Sequence, residues 1–229
     1  MKPLIQLKNV WKTYKMGETH VNALQGIDIT VREGEFVAIQ GPSGSGKSTA
    51  MNLIGCLDVP SQGQILLDGH DISKLSESDL AQIRGQKIGF VFQKFNLIET
   101  LTALENVTLP MTFQGTASAQ RIKRAETLLK QFGLGDRMDH RPNQLSGGQQ
   151  QRVAIARSLA VDPPVILADE PTGNLDSKTG KEVMATLREL NQKYGKTIVL
   201  VTHDDILAHS ADRIEFLKDG KIVQSKKVK

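Results

Sequence analysis

The segment Gly41-Pro42-Ser43-Gly44-Ser45-Gly46-Lys47-Ser48 matches G-x-x-x-x-G-K-[ST] at every fixed position. Its chemistry is the holding of phosphate. Glycines let the backbone curl until successive N–H groups point at phosphate oxygens, and a helix that follows adds its positive end. Lys47 then reaches the β- and γ-phosphates, Ser48 has the position to place its hydroxyl on Mg²⁺, and the cradle runs on through Thr49. A plain glycine-rich turn would give Lys47 and Ser48 no reason to be there. A second group with reactive potential is the apolar run Val165-Ile166-Leu167-Ala168, which ends in Asp169 and Glu170. Two acids at a strand end can simply cap the next segment. Beside a complete phosphate loop they read as a catalytic pair, with Asp169 holding Mg²⁺, directly or through water, and Glu170 polarising the water that attacks the γ-phosphate.

These groups need a scaffold of strands that deliver loops to one edge. Short apolar-rich segments at Ile5 to Val10, Ala23 to Val31 and Glu35 to Gln40 read as strands, the last leading straight into the phosphate loop. A helix-like run, Ser48 to Leu57, follows, then a turn and a strand from Gln64 to Gly69. From about Lys94 to Leu159 helical spacing dominates, with Ile122, Ala125, Leu128, Leu129 and Phe132 in register. The last third returns to alternation: the strand Val165 to Ala168, a helix with Val183, Leu187 and Leu190 on one face, and the strand Thr197 to Thr202. Strand and helix in alternation predict a parallel sheet, and the whole predicts one α/β domain with an inserted helical part.

The bulk properties narrow the setting. A chain of 229 residues with 39% hydrophobic content can build a substantial core. The 29 basic against 25 acidic side chains give +4, spread along the sequence, so no nucleic-acid partner is expected. Lys226, Lys227 and Lys229 read as a solvated tail. One cysteine, Cys56, excludes an internal disulfide and fits a reducing compartment, as a small buried apolar residue. The first 18 residues lack the apolar core of a signal peptide, and no run approaches the ~20 apolar residues of a membrane span. Contact with a membrane is expected to come through another chain.

Many nucleotide enzymes share the first two motifs; Leu145-Ser146-Gly147-Gly148-Gln149, at the start of the helical run Gln150 to Ala160, discriminates among them. This pentapeptide resembles the signature of ABC ATPases, and further elements of that family follow in order along almost the entire chain. The resemblance implies a P-loop NTPase fold, α/β, with a mostly parallel sheet core, an N-terminal antiparallel β portion and an inserted helical subdomain. It implies a single ABC ATPase domain over 1–229, with a RecA-like core at about 1–93 and 160–229 and the helical subdomain at about 94–159. By the same resemblance Tyr14, in Lys12-Thr13-Tyr14, stacks on adenine. Gln93, ending Phe90-Val91-Phe92-Gln93, touches Mg²⁺ and the attacking water. Asp176, in Gly173-Asn174-Leu175-Asp176, belongs to the loop through which two subunits sense each other. His203, in Val201-Thr202-His203-Asp204, contacts the γ-phosphate and steadies Glu170, while the histidines at 20, 70, 140 and 209 read as surface residues. The implied catalytic set is Glu170, His203, Gln93 and Lys47, with Ser48, Gln93 and Asp169 on the metal.

The signature makes sense physically as a second set of phosphate-binding groups, because Ser146, Gly147 and Gly148 stand at a helix N-terminus. In the family they serve the ATP of a second, head-to-tail copy, so a pair of chains around two MgATP is implied. Asn52 to Asp58, Gly89 to Leu97 and Leu101 to Val107 are similar to the branch of lipoprotein-release and macrolide-export ATPases, although Lys94 departs from that branch's glutamine. That branch implies an integral membrane subunit with few spans and a large extracytoplasmic domain, met around Gln93 to Glu105 at the cytoplasmic face of the membrane. A related cell-division cassette, which signals without moving a substrate, is the alternative. Soluble ABC proteins of DNA repair or translation usually carry two cassettes or a coiled-coil insertion, and a small-molecule phosphate-loop kinase has no use for Leu145 to Gln149.

Overall fold

The computed structural model describes residues 2–228. The chain opens with strands β1 (Pro3–Met16), β2 (Thr19–Arg32) and β3 (Phe36–Gln40), then helix α1 (Lys47–Ile54), strands β4 (Gln62–Leu67) and β5 (His70–Asp71), and helix α2 (Glu77–Lys87). Strand β6 (Ile88–Phe92) precedes helices α3 (Ala103–Phe113), α4 (Ser118–Gln131) and α5 (Gly147–Ser158). Strand β7 (Val165–Asp169), helix α6 (Ser177–Tyr194), strand β8 (Thr197–Thr202), helix α7 (Asp205–Ala208) and strands β9 (Arg213–Lys218) and β10 (Lys221–Lys227) complete it. The fold is mixed α/β, with antiparallel and parallel strands. Two compact units form: one runs up to Arg84 and resumes at Arg188, and the other is Gly85–Leu187.

In the first unit β2, β1, β4 and β5 form an antiparallel sheet in that order. β1 pairs with β4 only as far as Trp11 opposite Gln62, and beyond that point its pairing is with β2 alone. The β1–β2 register shifts between Lys12 and Thr13, a bulge that re-aims the strand end carrying Tyr14. β3 lies parallel to both β8 and β9, and β10 closes antiparallel on β9. Every residue of β8 is buried, as a parallel strand covered on both faces requires of a Thr-Ile-Val-Leu-Val-Thr run. In the second unit β6 and β7 run parallel, from Ile88 opposite Val165 to Phe92 opposite Asp169. Ala125, Leu128 and Leu129 of α4 are buried there, as their spacing predicts, but Ile122 on the same spacing is 39% exposed.

Several local expectations need correction. Residues 93–102 carry no helix, and the helical run starts at Ala103 behind a Thr102–Glu105 capping box. α1 stops at Ile54, because Gly55 caps it and Cys56 turns left-handed at φ 54°. Lys226 and Lys227 belong to β10 and not to a loose tail, although their side chains are exposed; Lys229 lies outside the described residues. Helix α2 and the strands β9 and β10 have apolar patterns that are short and interrupted by charge, so the sequence does not announce them. Cys56 is buried, and that burial pushes its thiol up to about 11.

Candidate nucleotide site

The phosphate loop belongs to the first unit and spans the end of β3 to the start of α1. Gly46 is the N-cap of α1 at φ 103°, and a Cβ there would come within 2.5 Å of the Ala23 carbonyl oxygen. Gly41 is pressed so closely on the Leu217 carbonyl that a Cβ would overlap it. Both positions therefore demand glycine for space, and Gly46 for conformation as well. No side chain caps α1, and its first turn holds no acid. Neither a capping side chain nor an acid therefore competes with an anion at this helix end, where phosphate is favoured. Ser45 Oγ is buried without a partner in the same loop. The Lys47 ammonium lies back along the loop, donating to the carbonyls of Gly41 and Pro42 at 2.8 Å each, and Ser48 is exposed beside it.

Tyr14 is half-buried near the end of β1, its hydroxyl donating to Asp58 Oδ2 at 3.0 Å. Burial raises its phenol above the ordinary value, Asp58 adds to the rise, and a hydrogen bond with the Thr49 side chain opposes it. Thr49, in the first turn of α1, is thereby in contact with the Tyr14 hydroxyl. Lys12 Nζ sits 2.6 Å from Asp58 Oδ1 and 5.0 Å from the centre of the Tyr14 ring. His203 is exposed just past β8, directly before Asp204, whose carboxylate caps α7 by accepting from the N–H groups of Ile206 and Leu207.

The second unit holds the other named residues. Asp169 ends β7 opposite Phe92, and Glu170 follows in the left-handed region at φ 44°. A side chain other than glycine, asparagine or aspartate in that region costs on the order of 1 kcal/mol, and such strain gathers at functional sites. The turn is closed by the Gly173 N–H donating to the Glu170 carbonyl at 3.0 Å. Gln93, exposed after β6, is tied to the loop behind Glu170: Asn174 Nδ2 donates to the Gln93 carbonyl at 3.0 Å, and Gln93 Nε2 reaches Asn174 Oδ1 at 3.4 Å. Gln93 and the segment that runs from Glu170 to Asp176 thus form one connected edge of this unit.

Ser146 is the N-cap of α5, in a reciprocal capping box with Gln149: Ser146 Oγ accepts from the Gln149 N–H, and Gln149 Oε1 accepts from the Ser146 N–H at 2.9 Å. Leu145 is buried, while Ser146 stays exposed at the helix end. A Cβ on Gly147 would touch Leu175, and one on Gly148 would overlap the Thr179 side chain. Asp176 accepts from the N–H groups of Lys178 and Thr179 at 3.0 Å and from the Thr179 hydroxyl at 2.6 Å, bonds that hold its carboxyl below the usual range. The signature glycines and Asp176 therefore meet through Thr179 within this unit.

The family model for ABC transporters matches residues 24–173, which take in the phosphate loop, the signature and the acid pair. The chain belongs to the ABC transporter family. Within that family it is an ATP-binding cassette and an ATPase. It is 54% identical to an ABC transporter ATP-binding protein of Thermotoga maritima over 97% of this chain and 94% of that one. It is 53% identical to the macrolide export ATP-binding/permease protein MacB of Brucella melitensis over 96% of this chain, which is 34% of that protein. The dimeric post-hydrolysis structure of the ATP-binding cassette MJ0796, from Methanocaldococcus jannaschii, bound to ADP and Pi, superposes with a TM-score of 0.91 at 53% identity, covering 98% of this chain and 99% of the other.

The cassette also holds residues that the sequence reading left without a role. Gln151, on α5 two residues beyond the signature, is fully buried; its amide donates to the Pro171 carbonyl at 2.5 Å and to the Phe92 carbonyl at 3.4 Å. Those carbonyls adjoin Glu170 and Gln93. Burial alone marks it, because a fully buried amide is kept for the hydrogen bonds it makes. Gln151→Leu keeps the volume and removes the donor to the Pro171 carbonyl, while the Phe92 carbonyl keeps the Phe95 N–H, a change of about 1–3 kcal/mol. The expected result is a fall in kcat of roughly tenfold with little change in KM, read by steady-state phosphate release, because binding groups stay in place while water-positioning groups shift. A raised KM at unchanged kcat would assign Gln151 to binding.

Proposed function

We propose that two copies of the cassette pair head to tail around two ATP molecules and drive a separate integral membrane subunit in export or extraction of a substrate. Lys47 and the loop N–H groups from Gly41, Pro42, Ser43, Gly44, Ser45 and Gly46 through Ser48 and Thr49 take the phosphates, and Tyr14 takes the base. Glu170 accepts a hydrogen bond, and then a proton, from the attacking water, with His203 and Gln93 beside the γ-phosphate. Ser146, Gly147 and Gly148, with Leu145 and Gln149 framing them, serve the ATP of the other copy, and Asp176 carries the state of one site to the next. The carrying observation is that exposed Ser146 stands with the half-buried Gly147 and Gly148 at a helix N-terminus, a phosphate-binding device additional to the loop at α1. The dimeric MJ0796 structure lends support by similarity.

The side chains named for Mg²⁺ suit that ion. Among the described residues no group of three or more His, Cys, Asp or Glu could hold a metal by itself. Mg²⁺ commonly takes most of its oxygens from substrate phosphate and water, with few from protein, and Ser48, Asp169 and Gln93 offer only oxygen donors. When bound, Mg²⁺ would neutralise charge growing on the phosphates. The domain reading proposed with this function keeps 1–93 and 160–229 as the ATP-binding core and 94–159 as the helical part, in one ABC ATPase domain.

The surface offered to a membrane subunit is 93–105, at the cytoplasmic face. It is irregular yet held in shape. Arg157 donates to the carbonyls of Phe95 and Asn96, both in the left-handed region, and buried Asn106 bonds Ile98, Leu101 and Thr102. No helix among the described residues is long and apolar enough to cross a membrane. MacB is named as an ATP-binding/permease protein, so a partner that supplies spans is the counterpart proposed here, one with few spans and a large extracytoplasmic domain. Capture from detergent-solubilised native membranes with tagged Glu170→Gln protein and MgATP, followed by mass spectrometry, is expected to recover such a protein. Recovery of soluble proteins or nucleic acid alone would remove the transport assignment and leave the ATPase.

A further inference from the structure

Lys12 and Asp58 form a charged pair that the phosphate chemistry does not use. Their side chains are 11% and 26% exposed, too far out of water for a pair of charges to persist without well-made partners. Those partners are present. Lys12 Nζ donates to Asp58 Oδ1 at 2.6 Å and to the Val59 carbonyl at 2.8 Å. Asp58 Oδ1 also accepts from the Val59 N–H at 2.7 Å, and Asp58 Oδ2 accepts from the Tyr14 hydroxyl at 3.0 Å. Burial alone pushes the Asp58 carboxyl up, but Lys12, the Val59 N–H and Tyr14 together hold it below the usual carboxylate range. It is therefore an ionised acceptor, and a charge-assisted bond to it fixes a phenol better than water does.

The consequence falls on the Tyr14 ring. Beyond Trp11 its strand keeps β2 as its strand partner and shifts register between Lys12 and Thr13, which places the backbone but does not by itself fix the hydroxyl end of the ring. Asp58 pins the ring at its hydroxyl end. The Lys12 ammonium, 5.0 Å from the ring centre, occupies one face, so a flat ligand has only the opposite face to stack on. A cation there also draws electron density from the ring, which favours an electron-rich purine against it. Asp58 stands four residues past the end of α1, the helix that starts at Lys47, so one short element links the base side to the phosphate side.

We propose that the Lys12–Asp58 pair is a positioning device that holds the Tyr14 ring for the nucleotide base and sets base affinity separately from phosphate affinity. This rests on the reading of Tyr14 as the base-stacking residue. The test compares ATP with inorganic tripolyphosphate, which has the phosphates and no base, by calorimetric titration of the full chain with Mg²⁺. Tyr14→Phe keeps the ring and removes its bonds to Asp58 and to the Thr49 side chain, and Asp58→Asn weakens the first of these from the other side. Each is expected to raise the Kd for ATP about threefold, and the double variant no more than Tyr14→Phe alone, because the Tyr14–Asp58 bond is common to both. Tyr14→Ala is expected to raise it about tenfold, the loss of the whole stacking surface. The Kd for tripolyphosphate stays unchanged throughout. Equal weakening of tripolyphosphate, additivity of the two variants, or no effect of either overturns the proposal. If Tyr14→Ala itself leaves ATP binding unchanged, the stacking reading falls and the proposal with it. If Tyr14→Ala weakens ATP binding while Tyr14→Phe and Asp58→Asn do not, the proposal alone falls.

Discussion

Glu170→Gln is expected to slow ATP turnover by on the order of a hundredfold or more while leaving the affinity for MgATP nearly unchanged. The substitution keeps the size of the side chain and the left-handed turn at φ 44°, which the Gly173 N–H closes through the Glu170 carbonyl and not through the carboxyl. What it removes is the negative charge that draws a proton from the attacking water. Groups that bind the ground state are untouched, so the loss belongs to kcat. With hydrolysis slowed, nucleotide stays intact between two copies, and the paired species should accumulate in size-exclusion chromatography run with MgATP. Steady-state phosphate release and equilibrium ATP binding check the two halves separately. Unchanged turnover would take Glu170 out of the chemistry. Lost binding would mean instead that the carboxylate supports the site structurally.

That such a prediction can be made reflects how much of the site lies in short contiguous motifs. The phosphate loop is legible because its glycines are forced by backbone contacts, Gly46 against Ala23 and Gly41 against Leu217, so the chemistry and the steric demand select the same letters. The ends of β7 and β8 are legible because their buried middles, Val165 to Ala168 and Ile198 to Val201, read as unbroken apolar runs. Residues whose value comes from distant neighbours are not. Gln151 is one glutamine among three in sequence, and only burial separates it from Gln149 and Gln150. Lys12 and Asp58 are 46 residues apart, and nothing local announces that they meet. The 93–102 segment looks helical in composition, yet its shape is imposed from outside by Arg157 and Asn106. The signature reading needed completion too. Its glycines are required at the helix end and also by the nearness of Leu175 and Thr179.

That nearness makes Gly148→Val the informative partner for Lys47→Ala in a mixing experiment. A valine side chain at 148 runs into Thr179, which cannot turn aside freely, since its hydroxyl and N–H are both bonded to Asp176. Either the start of α5 shifts or the Asp176 cap breaks, and both disturb the signature while leaving every residue of the phosphate loop as it is. Lys47→Ala has the complementary defect, removing the cation from the γ-phosphate while leaving the signature whole. Each variant alone is expected to retain below about 1% of turnover, since each lacks one set of groups that stabilise charge on the transferring phosphate. If every ATP is shared between the loop of one copy and the signature of the other, a mixed pair contains one fully intact site. Random pairing at equal amounts makes half the pairs mixed, with one working site of two, so turnover should return to about a quarter of the parent value. A site completed within one chain gives the opposite result, because no molecule in the mixture has both parts, and the mixture would stay as inactive as its components.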